Sequence, residues 1–206
     1  MSLLAPAFKQ IRLHARAYLL INTVFYGLVV LGAVYAFLQP QVQRQLIQTI
    51  VEGFGAPPLS FARAAYTSGD VASAALITFL VNSFLGSLLA LTLPSLFVPF
   101  FGTFMGFYRA LLWGVALAPT SPELARAMIP HSLTLVLEGQ GYILAMLGIH
   151  ILWTSTFDGL RQGIPGAVSG YRAGLRTNVT TYRLVLLVLA VSAIYEAFEV
   201  IYLVRG

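Results

Sequence analysis

The chain has no cysteine. That excludes disulfides, thiol catalysis and cysteine metal sites, and it leaves the redox compartment unmarked. Charge is scarce: 9% of the 206 residues are Asp, Glu, Lys or Arg, where a soluble domain carries about 25%. Enzyme signatures are missing too, with no H-E-x-x-H, no G-x-S-x-G and no P-loop. Of three histidines, His131 precedes Glu138 at a separation that is not a metal-ligand spacing, so neither a metal nor another cofactor is expected. Twelve Lys and Arg give a net charge of +5. They form no patch of the size that holds nucleic acid.

What is present is apolar sequence, at 58% of the chain. The pattern predicts an all-α, polytopic membrane protein with five transmembrane helices and short interfacial amphipathic helices. The spans fall at about 18–38, 71–93, 100–118, 130–153 and 184–204. They leave no room for a separate soluble domain, so residues 1–206 form a single integral membrane domain whose first partner is the lipid bilayer.

Between the spans lie shorter signals. Residues 1–17 are basic and amphipathic, and Pro6 suits the start of a short helix on an anionic surface. The basic flank and first apolar run resemble a signal peptide, with Val34-Tyr35-Ala36 as a cleavage site, but the run is long for one. Val42, Leu46, Ile50 and Phe54 recur every four residues opposite Gln41, Arg44, Gln48 and Glu52, which predicts an interfacial helix over about 40–54. Gly53 to Pro58 breaks it, and Ser68-Gly69-Asp70 reads as an N-cap region. Pro94 and Pro99 bracket a short connection, or a kinked or re-entrant piece. Residues 119–129 read as a turn, with a fresh helix starting at Pro130. The five glycines of 159–174 make the polar stretch 154–183 flexible or closely packed, with an interfacial helix inside 160–180.

Basic residues set the orientation. With the N-terminus inside, seven fall on the cytoplasmic side: Lys9, Arg12, Arg16, Arg161, Arg172, Arg176 and Arg183. Four fall outside: Arg44, Arg63, Arg126 and Arg205. This predicts a multi-pass protein of a prokaryotic plasma or inner membrane with a cytoplasmic N-terminus and an external C-terminus.

Six polar residues sit in or near spans: Asn82, Arg109, His131, Glu138, Glu196 and Glu199. Each central charge costs about 2.5–3.5 kcal/mol on insertion scales, so they are candidate functional residues unless they pair to hold helices together. At about 100° per residue, Glu138 returns to within about 20° of His131. Gly141, Ala145 and Gly148 follow on the same side, and Gly102 and Gly106 lie on the face of Arg109. These small residues permit close helix packing. Glu138 is therefore expected to face the bundle interior and meet Arg109 first, or Asn82. Glu196 and Glu199, three apart near a helix end, either share a proton or cation or reach for water. His150 and Gln140 lie off the Glu138 stripe.

Asn82, Gly102, Gly106, Pro130, His131, Glu138 and Glu196 can be laid on a known pattern. It resembles that of the stage II sporulation protein M family, over about residues 71–204. The family pattern has an Asn in the second span, a Gly-rich third span with Asn-Gly, then Pro-His-Gly and Glu in the fourth. Here the Asn-Gly is missing, Ser132 replaces the Gly, and Glu138 follows His131 by seven residues rather than four. The resemblance implies a five-span, non-enzymatic membrane protein working with envelope partners. Two expectations follow: a scaffold or accessory subunit bound to other membrane proteins or to a second copy, or a small oligomeric transporter or channel component with Glu138 in its path.

Overall fold

The computed structural model describes residues 4–56 and 60–204. Among them all regular structure is helical. Helix α1 is Ala5–Leu13, with Pro6 in its first turn. It is followed by α2, Ala15–Leu38, α3, Pro40–Gly55, and α4, Ser60–Ser68. Next come α5, Val71–Ser95, α6, Phe101–Leu117, α7, Pro122–Leu160, and α8, Ile164–Val204. Four of them, α2, α5, α7 and α8, are long and apolar enough to cross a membrane. The predicted span at 100–118 is α6, which has 17 residues and is shorter than these four.

Two expectations about boundaries fail. The turn at 119–129 is mostly the first part of α7, and Pro130 lies inside that helix rather than at its start. Ser121 caps α7 by accepting from Leu124 N at 3.3 Å, and Pro122 sits in the first turn, where its missing N–H costs nothing. The residues between are good helix formers. Pro130 withholds a donor from the carbonyl of Arg126, an exposed residue. The second failure is the polar stretch 154–183. Its glycines are closely packed, one of the two readings they left open, but there is no separate interfacial helix inside 160–180: apart from a tight turn near Gly163, the stretch belongs to α7 and α8.

The glycines explain that hairpin. A Cβ on Gly159 would run into Gly166, one on Gly170 into Ser155, and one on Gly174 into Leu152, in each case against backbone. The two helices therefore touch main chain to main chain, which a larger residue would prevent. Further along, Gly141 and Ala145 of α7 meet Leu189 and its neighbours of α8, and Gly148 meets Asn178. α7 is the central helix, with an unbroken buried run from Gly141 to Ile149.

The remaining helices pack around this hairpin. α2 crosses α6 at Gly32 and Gly114, again backbone to backbone. Gly102 of α6 lies against Leu91 and Ile149, and Gly106 against Met146. The connection from α5 to α6 is the short turn 96–100, with Phe100 in the left-handed region at φ 57°. α3 is helical as expected. Leu46 packs against α2 and α6, Val42 and Ile50 are exposed, and Gln43 is buried. Gln43 Nε2 donates to the carbonyls of Ala116 and Ala118, and its Oε1 accepts from Thr120. Those are carbonyls that the end of α6 leaves free. Of the expected break at Gly53 to Pro58, Gly53 to Gly55 still belong to α3, and Pro57 and Pro58 lie outside the described residues, as does the side chain of Phe54.

Candidate functional site: a polar cavity between the helices

The middle of α5 is wound more widely than an α-helix. From Val81 to Thr92 the backbone follows i→i+5 hydrogen bonding, and Leu93 N–H reaches the carbonyl of Leu88. Wide turns of this kind are uncommon and recur at functional sites. Here the wide stretch brings Asn82 and Gly86 to one wall of a cavity of about 580 Å³. Arg109 and Trp113 of α6, Glu138 of α7 and Glu196 of α8 form the other walls. Ile50 of α3 and Tyr66 of α4 line it as well.

Arg109 lies across the face of Tyr142, with its guanidinium carbon 4.4 Å from the ring centroid. That cation–π contact holds the side chain in place. Gly86 makes room: a Cβ there would come within 2.8 Å of Arg109 Nη1 and would also meet the Tyr142 hydroxyl. Tyr142 Oη donates to Asn82 Oδ1 at 3.4 Å. Glu138 is one helical turn before Tyr142 and interacts with Arg109, Tyr142 and Asn82. It forms no ion pair with Arg109 within 4.0 Å. The expected Arg109–Glu138 pair is therefore a neighbourhood around the cavity rather than a contact, because Arg109 rests on Tyr142 instead.

Glu196 also faces the cavity, where Tyr66 Oη donates to its Oε1 at 3.2 Å. Tyr66 and Thr78 share a hydrogen bond of 2.6 Å. The i, i+3 partner Glu199 goes elsewhere. It is fully buried, so the expected reach for water does not occur. Its Oε1 lies 2.5 Å from His131 Nδ1, and its Oε2 accepts from Thr134 Oγ1 at 2.9 Å. His131 keeps a quarter of its side chain exposed. The six predicted residues thus fall into two groups: Asn82, Arg109, Glu138 and Glu196 around the cavity, and His131 with Glu199 beside it.

Thr78, four before Asn82, Trp113, four after Arg109, and Tyr142, four after Glu138, share helix faces with the predicted residues, whereas Tyr66 has no spacing to suggest it. Gln140 lies off the Glu138 stripe. It accepts from Tyr18 Oη at 2.5 Å and donates to Asn22 Oδ1 at 2.7 Å and Tyr26 Oη at 3.1 Å. This ladder fastens α2 to α7 and is separate from the cavity. His150 packs near Phe100, with ring centroids 6.2 Å apart. Among the described residues no three His, Asp or Glu side chains converge as a metal site.

No protein-family model matches the chain, and no curated protein or solved structure matches it significantly.

Proposed function

We propose that this chain is a small, non-enzymatic transport component of a prokaryotic plasma or inner membrane, with five spans and with Glu138 in the path of the transported species. One observation carries the reading. Inside a bundle of apolar helices, a cavity of about 580 Å³ stays open among Arg109, Asn82, Glu138 and Glu196. Residues kept only for packing would close such a volume and bring the guanidinium onto the carboxylate, because unpaired charge in lipid is costly. Pockets of some hundreds of Å³ with a few convergent polar groups are the usual form of small-molecule sites. The test is flux in proteoliposomes made with the full chain. Glu138→Gln, which keeps the shape and removes the charge, should abolish flux while the protein stays folded. Wild-type flux from Glu138→Gln would defeat the reading.

The second reading is a scaffold or accessory subunit, as the resemblance to the stage II sporulation protein M family implies. A separate feature favours it. α7 and α8 contain 39 and 41 residues, or about 58 and 61 Å of helix, against a hydrocarbon core of about 30 Å. The hairpin between them extends past the membrane and offers a surface to an envelope partner or to a second copy. A scaffold would tolerate Glu138→Gln and would lose its partner when residues of the hairpin tip, such as Arg161, are replaced.

A further inference from the structure

Charge counting narrows what the cavity can hold. Its walls carry one guanidinium, Arg109, and two carboxyls, Glu138 and Glu196. Arg109 interacts with Glu138. Glu196 has no such cation. The ionisable groups that face it are Glu138 and His131 from α7, Tyr66 from α4 and Glu199 on its own helix. α5 offers it only neutral groups, Thr78 and Asn82. His131 is held by Glu199 at 2.5 Å. With both carboxyls ionised the cavity is one positive charge short of neutrality, in surroundings where unbalanced charge is costly.

A bare metal ion is a poor match for that deficit. It needs about six oxygen donors closing on one point. Here the volume is about 580 Å³, and among the described residues no three His, Asp or Glu converge. The walls instead include Leu85, Met105 and Leu112, with the rings of Tyr66, Tyr108 and Trp113. Aliphatic walls suit a hydrocarbon body, and ring faces attract an ammonium.

Building on the transport reading above, we propose that the cavity takes a monovalent organic cation, an ammonium with an apolar body, which exchanges with a proton on Glu196. In the empty site Glu196 holds the proton on one carboxyl oxygen. When the ammonium enters, that O–H bond breaks, the proton leaves to water and the carboxylate faces the cation. One positive charge enters and one leaves. Glu138 stays ionised beside Arg109 throughout. His131 interacts with Glu196 and is partly exposed, so it offers the proton a route to water.

The chain has two tryptophans, and Trp113 lines the cavity. Full-length protein carrying Trp153→Phe, in a non-ionic detergent, reports binding through Trp113 alone. Where that variant does not fold, the difference between wild type and Trp113→Phe gives the same signal. Tetraethylammonium and hexylammonium are titrated, with hexanol, glycine betaine and sodium chloride as controls. The two ammonium ions should change the emission and release about one proton per cation bound into weakly buffered solution. Glu196→Gln should weaken binding about tenfold or more and abolish the release, and Glu196→Asp should restore part of both. An equal response to hexanol or betaine, displacement by sodium, or wild-type binding by Glu196→Gln would overturn the proposal. Binding with proton release but no flux in proteoliposomes supports the ligand and removes the transport reading. Flux that depends on Glu138 but is indifferent to ammonium ions does the reverse.

Discussion

A methyl group at position 86 would have to displace a neighbour. It would meet the Tyr142 hydroxyl and stand 2.8 Å from Arg109 Nη1, two groups already fixed against each other. Gly86→Ala should therefore destabilise the fold by about 1–3 kcal/mol, as small-to-large changes at packed sites do, and push Arg109 off its ring. Thermal unfolding in detergent reads the first effect, and Trp113 emission reads the second. Asp70 makes a different residue-scale prediction. Its carboxylate accepts from Ser73 Oγ at 2.5 Å and from Ala72 N at 3.1 Å. The Ser73 hydroxyl, then the Ala72 amide, hold this exposed carboxyl below its usual range. A depressed folded value means the charged cap stabilises α5 above the unfolded value, about pH 3.9, and that this support fades as pH falls through the lower folded value. Stability measured from pH 5 to 2 should show that loss in wild type and lack it in Asp70→Ala. Asp70 was legible in the sequence because a cap needs only local spacing. Glu138 and Glu196 stood out because a carboxyl in an apolar run has no bland neighbours to hide among. Tyr66 and Tyr142 did not, since a tyrosine becomes a polar residue only when folding gives its hydroxyl a partner.

The helices show where sequence reading loses its hold. Apolar runs mark the stretch a membrane can cover, not the length of the helix, so α7 and α8 continue well beyond the spans at 130–153 and 184–204. Proline misled in the same way. Pro130 reads as a boundary, but with Ser121 capping nine positions earlier the helix simply continues. Glycine left two readings open in 159–174, and the choice between them depends on a partner backbone that only the fold supplies. Gly170 tests that choice. Its Cβ would strike the Ser155 carbonyl, an atom that cannot rotate away. Gly170→Ala should cost about 1–3 kcal/mol, or splay the hairpin, whereas a merely flexible glycine there would gain stability on replacement by alanine. Unfolding temperature decides the sign.

At the scale of the whole molecule, hydrogen bonds sort the chain into two ends. At one, Trp153 Nε1 donates to the carbonyl of Ser95 at 2.7 Å and Tyr171 Oη to that of Leu96 at 2.9 Å. At the other, Gln43 holds the carbonyls of Ala116 and Ala118, and His131 meets Glu199. α6 starts beside Ile149 at the first end and finishes under Gln43 at the second. Its 17 residues cover about 26 Å, close to the thickness of a hydrocarbon core. A crossing by α6 makes five spans; without it there are four, and every later segment changes sides. The two cases differ in an accessible way, because a chain without cysteine takes one label wherever a single cysteine is placed. Ala15, exposed at the start of α2, marks the N-terminal side. With five spans, Ala15→Cys and Ser169→Cys share a face and Ser121→Cys is on the opposite one. With four, Ala15→Cys and Ser121→Cys share it. Arg161, Arg172, Arg176 and Arg183 on the hairpin and Lys9, Arg12 and Arg16 near Ala15 belong on one side only in the five-span arrangement, and the excess of positive charge then faces the cytoplasm. A membrane-impermeant maleimide applied to intact cells should accordingly label Ser121→Cys and spare the other two. Labelling of Ala15→Cys together with Ser121→Cys, or of Ser169→Cys alone, would restore the four-span count and put Arg126 on the same side of the membrane as the N-terminus.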